Sequence, residues 1–368
     1  MGGMTYEIPV SVVRGGTSRG VFLRVRDLPR DPGARDALCL GLIGGPDPLA
    51  VDGLGGGASS NSKVMGVGLP EDLAGLPWEG SCPSGVDLVT VFAQPDVASA
   101  AVDWNGNCGN LSAAVSAYAL DAGLLEREGE RASARVWNAN TGAVFLLEHP
   151  LEDGRLPRTG EYRMSGAGGP GPRIDLRFLE PGGEKTGSVF PRGRTTELGE
   201  GVRASLVDVS NPLVILDAAE AGVDLALSPA ELNADAALLA RLEALRREAG
   251  ERMGVPGSAA VPRVACVAPG IEGAELDVRV TSMGVFHHAV PVTVALALGS
   301  AAALGGTVLD AVLPAAPAGE TTIRHPKGTV TVTAEPRDEG SLATAGLART
   351  ARIILTGTAF VPGAGEGA

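Results

Sequence analysis

A cysteine stands between two Gly–Asn pairs, Gly106-Asn107-Cys108-Gly109-Asn110, ahead of a run of small and apolar residues from Leu111 to Leu120. Asn107 or Asn110 can cap a helix there, and Gly123 can stop it. A helix start leaves backbone N–H groups unsatisfied and carries partial positive charge, so it attracts carboxylates and favours a thiolate. Cys108 therefore reads either as a reactive thiol over a bound acid or as a small buried cysteine before a packed helix. The second chemical signal is Lys63, which follows the glycine-rich stretch Gly53 to Gly57 and the run Ala58-Ser59-Ser60-Asn61-Ser62. A ligand can approach backbone closely at such a loop, and an amine withdrawn from water yields its proton more readily.

Composition limits what these residues can serve. The net charge of −13 argues against a broad basic face for nucleic acid or an anionic membrane, though a small pocket can still hold an anion. Four cysteines lie far apart without a C-x-x-C pair, which suggests neither a zinc site nor a disulfide scaffold. The most apolar run, Val285 to Leu304, is interrupted by His287, His288 and Pro291 and makes a poor bilayer span. No secretory leader pattern opens the chain, so the cytoplasm is the expected compartment. Its 368 residues favour two domains.

The elements that must position Lys63 and Cys108 follow from local pattern. Tyr6 to Val13 and Val21 to Val25 read as a hairpin around Arg14-Gly15-Gly16-Thr17-Ser18-Arg19-Gly20. Asp31-Pro32 opens a helix that Gly44-Gly45-Pro46 closes. Val64 to Val67 and Val86 to Gln94 read as strands on either side of the route to Cys108, followed by strands at Ser133 to Trp137 and Gly142 to Glu148. In the second half, strands are expected at Ile174 to Leu179, Arg203 to Val209, Leu213 to Asp217, Val264 to Val267, Leu276 to Thr281, Thr329 to Thr333 and Ile353 to Thr356. Ser228-Pro229-Ala230-Glu231 is a capping box for one helix through Arg247. A small-residue helix is expected from about Met283, kinked near Pro291.

The halves echo each other. Gly15-Gly16-x-x-x-Gly20 resembles Gly182-Gly183-x-x-x-Gly187, and Ser60-Asn61-Ser62-Lys63-Val64 resembles Ser210-Asn211-Pro212-Leu213-Val214. The helix after Cys108 has a counterpart near Met283. Three pairs in one order suggest an internal duplication, with Lys63 answering to Leu213. Copies facing each other would set helix starts across one cleft, suited to an acid with a carboxylate at each end.

Taken together, Arg-Gly-Gly-Thr-Ser, Gly-Gly-Gly-x-Ser-Ser-x-Ser-Lys, Gly-Asn-Cys-Gly-Asn-Leu-Ser-Ala, Pro-Gly-Gly-x-x-Thr-Gly, Asp-Val-Ser-Asn-Pro and Ser-Met-Gly-x-x-His make the chain resemble the 2-methylaconitate isomerase family (PrpF type). That family includes oxalomesaconate tautomerases and methylitaconate isomerases. The resemblance implies an α/β (α+β) fold of two pseudo-symmetric diaminopimelate-epimerase-like domains, each a curved, mainly antiparallel sheet wrapped around a central helix. They would span residues 1–172 and 173–349, with 350–368 returning to the first and the active site between them. It also implies a cofactor-independent 1,3-proton shift in an unsaturated di- or tricarboxylic acid, with no metal and with a homodimer as candidate assembly.

Matched by motif, the catalytic lysine falls on Lys63 and the active-site cysteine on Cys108. Arg14, Thr17, Ser18, Asn61 and Ser62 could hold one carboxylate, and the N–H groups of Gly109 and Asn110 another. Ser282 and Gly284, flanking Met283, could hold a third. His287 is either a further donor or a core histidine satisfied by backbone. Arg19 stands where the family usually has Lys, and Asn61 where it usually has Thr, which bears on substrate identity more than on reaction type. Competing expectations are a two-base racemase or epimerase on the same fold, and a carboxylate-binding protein without catalysis. Cys39 and Cys266 read as structural, and His149 and His325, each near a Pro, as turn residues.

Overall fold

The computed structural model describes residues 5–258, 261–313, 317 and 319–362. The chain divides into two units, one running up to Leu176 and resuming at Ala348, the other covering Arg177–Leu347. The first contains β1 (Thr5–Gly15), β2 (Ser18–Arg24), α1 (Pro32–Ile43), β3 (Val64–Gly68), β4 (Leu88–Pro95), β5 (Val102–Asp103), α2 (Gly109–Ser112), α3 (Val115–Asp121), β6 (Arg131–Asn138) and β7 (Val144–Pro150). β8 (Ile174–Leu179) spans the division. The second contains β9 (Thr196–Leu198), β10 (Val202–Val209), β11 (Asn211–Asp217), α4 (Pro229–Asn233), α5 (Ala236–Met253), β12 (Arg263–Pro269), β13 (Leu276–Ser282), β14 (Val285–Phe286), α6 (Val292–Leu304), β15 (Glu320–His325) and β16 (Gly328–Asp338), while β17 (Ser341–Arg349) also spans the division, with Ala348 and Arg349 in the first unit. β18 (Ala351–Pro362) returns to pair antiparallel with β1.

Alternating apolar residues put two layers on each sheet. In β2, Val21 and Leu23 face α1, packing with Leu38, Cys39, Leu42 and Ile43, while Phe22 faces α3, its ring 5.5 Å from that of Tyr118. A strand buried on both sides needs an unbroken apolar run, which Val21-Phe22-Leu23 supplies. Asp31 caps α1 by accepting from the Ala34 N–H at 2.8 Å, and Gly44 ends it at φ +86°. Truncating Leu42, which is 1% exposed, would cost about 2–5 kcal/mol. In the second unit α5 plays the part of α1, with Leu242, Leu245, Ala249 and Met253 against β10–β12. α6 is apolar all round and buried over most of its length, as a helix inside a sheet must be.

Pairing reveals the duplication. The first unit runs β1–β2 antiparallel, β2–β3 parallel, β3–β4 antiparallel, β4–β6 parallel and β6–β7 antiparallel. The second runs β10–β11, β11–β12, β12–β13, β13–β15 and β15–β16 in the same alternation. Helices fill the parallel crossovers at matching places, and short β5 and β14 flank β4 and β13 alike.

Register corrects the motif matching. Val21 pairs with Val64 in the first unit, and Val214 with Val264 in the second. The counterpart of Lys63 is therefore Arg263 rather than Leu213. The Gly16 turn answers to Ser210, each at positive φ, rather than to Gly182-Gly183.

Helix boundaries differ from expectation in three places. The segment after Cys108 forms two short helices, because Ala114 donates to Leu111 in a tight i+3 bond and the Ser112 hydroxyl turns back to the Cys108 carbonyl. Cys108 itself, rather than Asn107 or Asn110, occupies the N-cap position. The capping box at Ser228 starts only α4, since Asn233 turns its amide to the backbone of Phe286 and Asp235 caps a new helix. Ser282-Met283-Gly284 turns a hairpin between β13 and β14, and α6 begins only after Pro291, which lacks the N–H to sit inside a helix. His149 and His325 are buried strand residues, not turn residues.

Candidate active site

The first unit brings Lys63 and Cys108 against one face of β2. Ser18 and Gly20 are two residues apart in that strand, so both point the same way. The Cys108 thiol lies 3.9 Å from the Ser18 hydroxyl. A methyl group on Gly20 would sit 3.3 Å from Lys63 Cβ and 2.7 Å from Leu111 Cδ1. Only a bare α-carbon lets Lys63 and the helix behind Cys108 crowd the same strand. Gly15 acts likewise: a Cβ there would lie 2.3 Å from the Asn110 carbonyl oxygen.

Lys63 is 9% exposed and pairs with no carboxylate among the described residues. Its Nζ donates to Gln94 Oε1 at 2.5 Å and lies 5.3 Å from the Phe92 ring centroid, a cation–π distance. The Gln94 amide is oriented by its other end, since Nε2 donates to the Ser62 carbonyl at 2.5 Å. Asn140 fixes the frame from below, accepting from the Phe92 N–H and donating to the carbonyls of Phe92 and Trp104. Lys63 Nζ is thus buried and held by neutral partners.

The glycine loop is fastened from within. Arg19 Nη2 donates to the Gly55 carbonyl at 2.8 Å, and the Ser62 hydroxyl donates to that of Gly56. Asn61 Oδ1 accepts from the Ala58 N–H at 3.1 Å. Asn61 and Ser62 therefore shape the loop that delivers Lys63. Arg14 is engaged too, with Nη1 donating to the carbonyls of Gly16 and Thr350; burial first, and then Arg352, lower its guanidinium below the usual range. Thr17 is exposed, and its hydroxyl accepts from Asn110 Nδ2 at 3.1 Å. Gly109 is buried and Asn110 half-buried at the first turn of α2.

The second unit presents a different group. Arg263 Nε donates to Ser282 Oγ at 3.2 Å and Nη1 to Thr293 Oγ1 at 2.9 Å, and burial lowers its guanidinium below the usual range. Met283 and Gly284 form the exposed hairpin turn at positive φ. His287 lies between β14 and α6, not in a helix, with Nδ1 held by the Ala289 backbone and its ring stacked 4.3 Å from His288. Burial lowers its imidazole pKa, against the Ala289 backbone hydrogen bond and with help from His288 and Arg263. The backbone-satisfied histidine is what the structure contains.

Sequence reasoning missed Gln94, Phe92, Asn140 and Arg263, because no motif marks a polar residue at a strand end whose partner arrives from another strand. It also missed Arg349, which is 7% exposed with a buried Nε that finds no partner. Cys39 and Cys266 are fully buried, and burial pushes the Cys266 thiol up to about 12, which makes it inert at neutral pH. A cavity of about 750 Å³ in the first unit, between Asp121, Arg155 and Arg352, includes neither Lys63 nor Cys108. Among the described residues, no three His, Cys, Asp or Glu side chains are placed to hold a metal ion, and no helix is long and apolar enough to cross a membrane.

Comparison with known proteins identifies the family and the fold. The PrpF protein family pattern matches residues 5–362. A 2-methyl-aconitate isomerase of Shewanella oneidensis is 32% identical, with 97% of each chain aligned. The crystal structure of a methylitaconate-delta-isomerase superposes with a TM-score of 0.85 at 31% identity, covering 97% of this chain and 96% of the other. A hydroxyproline epimerase from Agrobacterium vitis, 15% identical, shares the fold at a TM-score of 0.54 over 96% and 91% of the two chains.

Proposed function

Because the chain belongs to the PrpF family and is an isomerase of the diaminopimelate-epimerase-like fold, we propose that it moves a double bond in an unsaturated di- or tricarboxylic acid of the 2-methylaconitate or 4-oxalomesaconate type. The observation that carries this reading is Lys63: a buried amine without a counter-ion, beside an aromatic face and Gln94, on the same face of β2 as Cys108. Nζ in its neutral form takes a proton from the carbon allylic to the alkene. The C–H electron pair becomes the new double bond as the old one shifts onto a carboxylate-stabilised dienolate. The same ammonium returns the proton at the far alkene carbon, so one C–H bond breaks and one forms.

Cys108 orients the acid rather than exchanging protons. Its partner is the Ser18 hydroxyl, which is neither a base nor a cation, and α2 behind it is a single turn. Ser18, with the N–H groups of Gly109 and Asn110, takes one carboxylate. Arg263 with Ser282 is the carboxylate-binding pair of the second unit.

The test follows cis-aconitate, trans-aconitate and an oxalomesaconate-type acid in deuterated water by NMR. Deuterium entering an allylic carbon as the double bond moves supports the proposal. Exchange at a saturated stereocentre would instead support a two-base racemase, a reading that lacks a second reactive thiol. Lys63→Ala is expected to abolish exchange while keeping the fold, and Cys108→Ser to lower turnover about tenfold or less. Wild-type turnover in Lys63→Ala would refute the base assignment.

A further inference from the structure

The β17–β18 connection carries a cation into the turn beside Cys108. Arg349 is 7% exposed, and its Nη1 donates to the neighbouring Ala348 carbonyl at 3.0 Å. Nε is dry and unbonded, and no carboxylate pairs with the side chain among the described residues. A second buried polar atom, Asn110 Oδ1, also lacks a partner. Gly16 joins them: a Cβ there would lie 2.1 Å from Asn110 Oδ1 and 3.2 Å from Arg349 Cδ, and the Gly16 N–H donates to the Thr350 carbonyl at 2.9 Å. Thr17 and Ser18 complete the turn, bonded to Asn110 and Cys108 respectively.

A guanidinium in a protein interior without a counter-ion is costly, and an orphaned amide oxygen at the same glycine adds to that cost. We propose that Arg349 is a specificity-determining residue that binds a carboxylate of the substrate, at the Asn110 side of the Gly16 turn and away from Lys63. This deepens the isomerase reading and rests on it. Arg349 Nε donates to the anion. Asn110, by turning its amide over, gives its N–H to the anion and its oxygen to the Thr17 hydroxyl, so both orphans gain a partner. Burial pushes the Arg349 guanidinium down to about 10, and an anion beside it would draw it back up.

The experiment compares wild type with Arg349→Met and Arg349→Lys. Titration calorimetry with tricarballylate, a saturated tricarboxylate that cannot react, reads binding without turnover. Arg349→Met is expected to weaken tricarballylate roughly 10- to 100-fold and to raise KM for the acid turned over best by a similar factor, with kcat within about threefold. Arg349→Lys should recover part of the loss, because it restores charge without the planar fork. The melting temperature of ligand-free Arg349→Met should be unchanged or higher, since an apolar side chain of similar length replaces an unpaired buried charge.

Wild-type tricarballylate affinity in a folded Arg349→Met or Arg349→Lys would overturn the proposal and leave Arg349 a structural residue. If wild type turned over none of the unsaturated acids, the isomerase reading would fall. Tricarballylate binding would still decide the role of Arg349.

Discussion

Lys63 and Arg263 occupy one place in two copies of the same fold, and chemistry separates them. Lys63 immediately precedes β3 and Arg263 is the first residue of β12, and each is held by the residue that follows the equivalent position on the next strand. Gln94 accepts from Lys63, and Ser282 accepts from Arg263. Val64 pairs with Ala93 and Val264 with Thr281, which makes Gln94 and Ser282 counterparts as well. A lysine amine is the kind of group that can serve as a base, whereas a guanidinium stays charged and binds anions. The matching registers place a lysine in one copy and an arginine in the other.

The sharpest way to break this contrast is Lys63→Arg, which rewrites the first pair in the terms of the second. Proton exchange should fall by roughly 10³-fold or more, about 4 kcal/mol of barrier, while the acid still binds. Exchange by the arginine variant, read by NMR in deuterated water, would show that the site does not need an amine.

The surroundings differ as much as the cations do. Around Lys63 the glycines are there for closeness, and in the Ser282–Gly284 turn glycine is there for its backbone angle. Gly15→Ala should cost roughly 2–3 kcal/mol, because the new Cβ meets the Asn110 backbone oxygen. Gly284→Ala meets nothing within 4 Å and pays only for φ +79°, about 1 kcal/mol. Equal losses in denaturant titrations of the two variants would erase the distinction. Met283 sits at φ +53° in the same exposed turn, so Met283→Gly should stabilise by roughly 0.5–1 kcal/mol.

The smallest effect concerns a cation of the second unit that does have its counter-ion. Hydrogen bonds and charge from Arg246, with help from Arg247, hold the Glu243 carboxyl at about 2, below its ordinary value. A depressed carboxylate stabilises the fold above its unfolded pKa, and that contribution fades as pH falls from about 4.5 toward 2. Glu243→Gln should therefore melt slightly below wild type at pH 7, by under about 1 kcal/mol for so open a pair. The difference should close near pH 2. A gap that persisted there would mean that Glu243 acts through packing instead of charge.

Much of this was legible in the chain. Alternation and caps marked β1, β2, α1, β3 and β11 with ends close to those observed, because each is a local pattern of period two or a Pro–Gly bracket. Hairpin strands β15 and β17 and the short β5, β9 and β14 were not read, since their stability comes from a neighbour rather than from their own pattern. The helix expected at Met283 failed for a physical reason: Pro291 and two positive-φ residues favour a turn until Val292.

What the sequence carried by itself was the family, through six motifs in one order, and with it the reaction class; the parts given to Lys63 and Cys108 are proposals that rest on that resemblance. The duplication was also visible, though out of register. Only the tertiary structure decided the true counterpart of Lys63, because strand register is a property of two segments at once and no single motif encodes it. It alone joined Gln94, Phe92 and Asn140 to the site, and it alone brought Arg349, more than 300 residues from Gly16, against that turn. Contacts made across such separations depend on which strands pair, and pairing is settled by burial over the whole sheet.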